Sequence, residues 1–99
     1  MVKRAYGELR GMKVIGAGGR IVGEVDDIEL DVTTWRMASL VVRVQSDALA
    51  ELGLAKPFWS HARLKVPVLQ VSGATDVVIL HSSVADLAEL VAAADAEQG

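Results

Sequence analysis

The stretch GAGGRIVGEVDDIELD, residues 16 to 31, collects residue types that do chemistry: three glycines in four positions, an arginine, then five carboxylates in eight residues. Glycine-rich turns can cradle phosphates on backbone N–H groups, and grouped carboxylates can hold a hard cation. The spacing argues against both. A dinucleotide fingerprint starting at Gly16 and Gly18 needs glycine where Ile21 stands. A P-loop built on Gly18 and Gly23 needs lysine where Glu24 stands. Gly18 and Gly19 instead supply the positive φ of a tight hairpin turn. On a strand, Glu24 and Asp26 project to one side and Asp27, Glu29 and Asp31 to the other, so the carboxylates do not converge, and the glycine of an EF-hand loop is missing. The expectation is a solvated strand face with Asp31 capping a turn, and no metal or cofactor.

The other candidates are weaker. His61 and His81 are the only histidines and there is no cysteine, which removes thiolate zinc sites, disulfides and cysteine nucleophiles. Ser60-His61 and His81-Ser82-Ser83 place hydroxyls beside imidazoles, but sequence neighbours rarely set a nucleophile against its base, and no GxSxG elbow occurs. No catalytic residue is expected. In KPFWSHARLK, Phe58 and Trp59 could stack bases while Lys56, Arg63 and Lys65 hold phosphates. Four acidic residues follow in the C-terminal segment, so packing or contact with a protein partner is preferred over nucleic acid.

The elements that must position these residues belong to one small domain of 99 residues, 52% hydrophobic but only 4% aromatic, so the core must be built from Val, Leu, Ile and Ala. The net charge of -3 is uneven: residues 1–45 hold seven Lys/Arg against six Asp/Glu, and residues 46–99 three against seven. No basic block tracks a nucleic-acid backbone, no apolar run is long enough to insert in a membrane, and the N-terminus lacks a secretory signal. A cytoplasmic location is the expectation.

LRGMKVIG (9–16) reads as a first strand. In the run after the glycines, Ile21, Gly23 and Val25 share one parity and Ile28, Leu30 and Val32 the other. A bulge at Asp26-Asp27 restores one inward face, with Val25, Ile28 and Leu30 all toward the core. In TTWRMASLVVRV, Ala38, Leu40, Val42 and Val44 are expected in the core, and Trp35, Met37 and Val41 on the opposite face. A short helix from Asp47, an irregular link, a strand at ARLKV, a proline-started turn and a last strand 77–80 follow. The period then changes to a helical stripe, Val84, Leu87, Ala88 and Val91, opened by a Ser83/Asp86 capping box.

GMKVIG, GRIVGEVDDIELD, TTWRMASLVVRV and KVPVLQVSGATDVVIL, in one continuous order over residues 9–81, resemble the PRC-barrel domain, known from the photosynthetic reaction-centre H subunit and a ribosome-maturation factor. The pattern G-x-x-x-G-x-V-x-D is met by Gly19, Gly23, Val25 and Asp27, followed by Leu30-Asp31. Two departures, Trp35 and Thr75 where many members have glycine, suggest differently shaped turns. The resemblance implies a mainly β fold: a small, strongly bent, partly open barrel of about six strands (9–81) with an arm (1–8) before it and a C-terminal helix and frayed tail (82–99) after it. It also implies a stand-alone, non-catalytic module that holds partner proteins, as some free-standing members do in cell division. It offers no catalytic residue to carry over. The alternatives are an RNA- or ribosome-associated factor and a small-ligand or metal-binding barrel. The interface of an expected homodimer is assigned to Trp35, Met37, Val41, Phe58 and Trp59, with a further, unidentified protein partner. The rival cover for that face is the C-terminal helix.

Overall fold

A computed structural model of the chain describes residues 5–52 and 62–89. The order is a helical turn α1 (Tyr6–Leu9), strand β1 (Lys13–Ile15), β2 (Ile21–Asp31), β3 (Arg36–Val44), helix α2 (Ser46–Leu52), β4 (Arg63–Pro67), a 3-10 turn (Val68–Gln70), β5 (Val71–Ala74) and β6 (Val78–Leu80). A helix, α3, begins at residue 84 and is described to 89. The sheet runs β4-β3-β2-β1-β6-β5. Its pairs are antiparallel except β1 with β6. The end strands β4 and β5 are joined by the 3-10 turn without pairing, so the barrel stays partly open.

The glycines at 16–20 make the expected hairpin turn. Gly18 and Gly19 take φ of 94° and 96°, Gly16 N–H donates to Arg20 O at 2.8 Å, and Gly19 N–H donates to Gly16 O at 3.0 Å.

Bulges bend the sheet. Val25 pairs with Val42 and Asp27 with Val41, which leaves Asp26 as the extra residue where the parity slip places it. Two further irregularities were not read from the sequence. Val14 pairs with Gly23 and Ile15 with Ile21, so Val22 has no opposite residue; it is nonetheless fully buried. Glu29 pairs with Ser39 and Leu30 with Met37, which leaves Ala38 over. That slip corrects two expectations for β3. Ala38 is exposed, and Met37 packs against the core with Ile28 instead of lying opposite it. Leu30 is a third correction. Only two residues from Ile28 on β2, it lies beyond the reach of the core and is 54% exposed. Residues 9–12 also depart from the expected strand, since a helical turn occupies Tyr6–Leu9.

Val14, Val25, Leu40, Val42, Val66, Val78 and Leu80 form the centre of the core. α2 adds Ala48, Leu49 and Leu52, and α3 adds Val84 and Leu87. The capping box opening α3 is present: Ser83 Oγ accepts Asp86 N–H at 3.2 Å, and Asp86 Oδ2 accepts Ser83 N–H at 3.3 Å. α3 is held beside the β1–β2 turn, where Ala17 N–H donates to Ser82 O at 2.9 Å. Its buried residues therefore complete the core, and Trp35 remains 75% exposed. Val91, Phe58 and Trp59 lie outside the described residues, as do Lys56, Ser60 and His61.

Candidate protein-interaction surface

The acidic run of β2 is held apart by cross-strand partners. Glu24 stands between Lys13 Nζ at 2.9 Å and Arg43 Nη2 at 3.1 Å, bridging β1, β2 and β3. Asp26 takes Arg63 Nε at 2.9 Å, and Glu29 takes Lys65 Nζ at 3.1 Å, each reaching from β4. Asp27 turns onto its own backbone, where Oδ1 accepts Ile28 N–H at 2.8 Å. Asp31 caps the turn as expected, its Oδ1 accepting Thr33 N–H at 2.9 Å and lying 3.4 Å from Thr34 N. Among the described residues no group of His, Asp and Glu converges as a metal site.

Arg63 and Lys65, two of the three candidate phosphate contacts, are exposed, but each already holds a carboxylate. The hydroxyls near His81 have structural work. Ser82 Oγ donates to Gln70 Oε1 at 2.6 Å, and Ser83 caps α3. A polar cleft of ≈ 520 Å³ between the start of α2 and β2–β3 is lined by Gly23, Glu24, Arg43 and Asp47 among others, and its two charged strand residues pair with each other.

Lys13 first, then Arg43, hold the Glu24 carboxyl below its ordinary value by hydrogen bonding to the charged form. A depressed carboxyl stabilises the fold above its unfolded pKa, and that contribution is lost as pH falls through the lower, folded value. Acid titration of unfolding is therefore expected to show a decline beginning below about 4.5, the unfolded value. In Glu24→Gln part of this decline disappears, measured by urea melts at each pH. The effect is small because water screens an exposed pair. An unchanged pH profile would mean that the ion pairs contribute nothing.

The expected interface residues separate. Trp35 sits on the β2–β3 turn in the left-handed region, φ 58°, the only residue other than glycine with positive φ among the described residues. The turn thus keeps the backbone shape glycine would give it, even though its residue departs from the family pattern. Thr75, the other departure, is not left-handed. Met37 faces inward. Val41, half-buried, pairs with Asp27 and Lys65 between the charged rows of the other face.

What the structure does bring together is an apolar groove of ≈ 380 Å³ lined by Tyr6, Leu9, Asp27, Ile28, Leu30 and Met37. α1 supplies one wall. The Tyr6 hydroxyl lies 3.2 Å from Asp27 Oδ1 and 3.4 Å from Asp26 O, its one proton shared between them. Partial desolvation, and then the Asp27 carboxylate, raise the Tyr6 pKa. Beyond the groove the hairpin exposes Val32 at 68% and Trp35 at 75%. Sequence reading missed Tyr6 and Leu9 here. The available signal was Glu8, whose carboxylate accepts Ala5 N–H at 3.4 Å and marks a helical turn.

A small, bulged, partly open barrel of six strands with a C-terminal helix, carrying an apolar hairpin end and paired charges, defines the class: a small β-barrel domain. The PRC-barrel domain model matches residues 1–87, and the chain belongs to that family. No curated protein matches the sequence. Among solved structures, a 16S ribosomal RNA processing protein, RimM, from Pseudomonas aeruginosa is similar with a TM-score of 0.52 at 15% identity. The match covers 81% of this chain and 44% of that one, so this chain spans less than half of the RimM structure and shares its fold. No helix among the described residues is long and apolar enough to cross a membrane.

Proposed function

We propose that the chain is a non-catalytic, cytoplasmic interaction module that pairs with itself and docks a partner protein, with a cell-division complex as one setting. The observation that carries this is Trp35. A large aromatic ring 75% exposed, on a backbone conformation that disfavours every residue with a Cβ, is poorly explained by the stability of a lone barrel. Trp is enriched at the centres of protein interfaces. Val32, 68% exposed on the same hairpin, extends the apolar surface beside Trp35.

Sedimentation velocity over a concentration series tests self-association. A dimer is expected, and Trp35→Gly is expected to dissociate it. The same substitution should raise the stability of the monomer by about 1 kcal/mol, because glycine takes positive φ without the Cβ penalty. A wild-type monomer at high micromolar concentration, or a dimer unchanged by Trp35→Gly, would overturn the reading.

The fold shared with RimM favours a second reading, an RNA- or ribosome-associated factor. Phosphates would have to compete with Asp26 and Glu29 for Arg63 and Lys65. A gel shift with RNA that weakens steeply as salt rises is its test; binding that ignores salt would exclude phosphate contacts.

A further inference from the structure

Beyond Val25, β2 has lost its neighbour. The last backbone bonds it makes on the β1 side are Gly11 N–H to Val25 O at 2.8 Å and Val25 N–H to Met12 O at 2.9 Å. β1 itself pairs no farther than Glu24. Residues 27–31 continue the strand, paired with β3 on one side and with no strand on the other among the described residues. An open strand edge offers its backbone to another chain. Here it also borders the apolar groove of Leu9, Ile28, Leu30 and Met37.

The sequence along this edge is Asp27-Ile28-Glu29-Leu30-Asp31-Val32, acid alternating with apolar. A second copy laid antiparallel along it would set these carboxylates against their own kind, and like charges directly across a strand pair are destabilising. The edge is also latched: Asp27 Oδ1 holds the Ile28 N–H, and Tyr6 O–H reaches the same carboxylate and Asp26 O. An incoming lysine or arginine can take the Asp27 carboxylate as an ion pair and leave the Ile28 N–H for a ladder bond.

We propose that this edge of β2 accepts an extended segment of a partner protein, in which basic residues alternate with Val, Ile or Leu, as an added strand. Its basic side chains lie along Asp27 and Asp31, with Glu29 between them already paired with Lys65 of β4, and its apolar side chains enter the groove beside Leu30. The proposal rests on the reading of the chain as an interaction module and adds the docking site and the chemistry of its occupant.

Three capped hexapeptides serve as probes: alternating Lys/Val, the same residues in two blocks, and alternating Glu/Val. Binding is read by anisotropy and by amide shifts in the full chain. The alternating Lys/Val peptide is expected to bind and to shift the amides of Ile28 and Leu30. The block peptide should bind at least about tenfold more weakly, since it cannot place apolar groups on one side of a strand. The Glu/Val peptide should not bind. Leu30→Arg, at an exposed position, should abolish binding with the fold intact by circular dichroism, and Asp27→Asn should weaken it while keeping an acceptor for Ile28 N–H. No binding of the Lys/Val peptide, equal binding of the block peptide, shifts confined to other strands, or indifference to Leu30→Arg each overturns the proposal. So does a wild-type dimer that Leu30→Arg dissociates without peptide, which would give the edge to a second copy. A wild-type monomer would end the self-association reading and leave a positive peptide result standing.

Discussion

Gly23→Ala is expected to destabilise the domain by at least about 2 kcal/mol, the cost of forcing atoms into a packed interior. Gly23 is buried on β2 and pairs with Val44 at the start of the β2–β3 ladder. A Cβ there would collide with the Arg43 carbonyl oxygen and lie 2.9 Å from its carbon and 3.0 Å from Val44 Cα. These are backbone atoms, so no side-chain rotation relieves the clash, and the ladder itself must open. The reason is space, as Gly23 does not take positive φ. Gly73→Ala supplies the contrast. It lies in a strand with nothing within 4 Å of the added atom, and near-neutral stability is expected. Urea melts of the two variants decide. A Gly23→Ala protein as stable as Gly73→Ala would mean that β2 and β3 do not approach this closely.

Leu40→Ala is expected to cost about 2 to 5 kcal/mol, the range for a buried leucine truncated in a core that collapses only partly. Leu40 is 3% exposed and stands mid-sheet, paired with Ile28 on β2 and Val66 on β4. The neighbours that would have to fill the space are β-branched residues fixed on strands, which relax little. Ala38, two residues away with the same parity, is its control. Because the bulge turns it to solvent, Ala38→Glu is expected to stay within about 0.5 kcal/mol of wild type. Simple alternation along β3 would make both positions core. A loss under about 1 kcal/mol in Leu40→Ala removes Leu40 from the core. A large loss in Ala38→Glu removes the bulge.

Together these variants probe the two causes of the barrel's shape, a close backbone approach at one end of the β2–β3 pair and an extra residue at the other. The distal hairpin that results is long, poorly covered and apolar at Leu30, Val32 and Trp35. The same bending that closes the core thus leaves an exposed end available for contact.

Features set within a few residues were legible in the amino-acid order alone. The Gly18-Gly19 turn follows from backbone freedom, the Asp31 cap and the Ser83/Asp86 box from side chains that reach N–H groups two or three residues away. The Asp26 bulge was readable because Val25 and Ile28 are strongly apolar on either side of it, so the slip in parity shows. The Ala38 bulge was not, since alanine is at home in core or solvent and the runs Ala38-Leu40-Val42 and Met37-Ser39-Val41 both look continuous. Val22 was hidden in the same way by the glycine after it. Only the tertiary structure decided which carboxylate meets which cation, because Glu24, Asp26 and Glu29 find partners on strands many residues away. It alone placed α1 against the end of β2, where Tyr6 and Leu9 build a groove wall. Period and propensity report what each segment can bury; which surface remains uncovered depends on where bulges end the pairing, and that is settled by packing between strands.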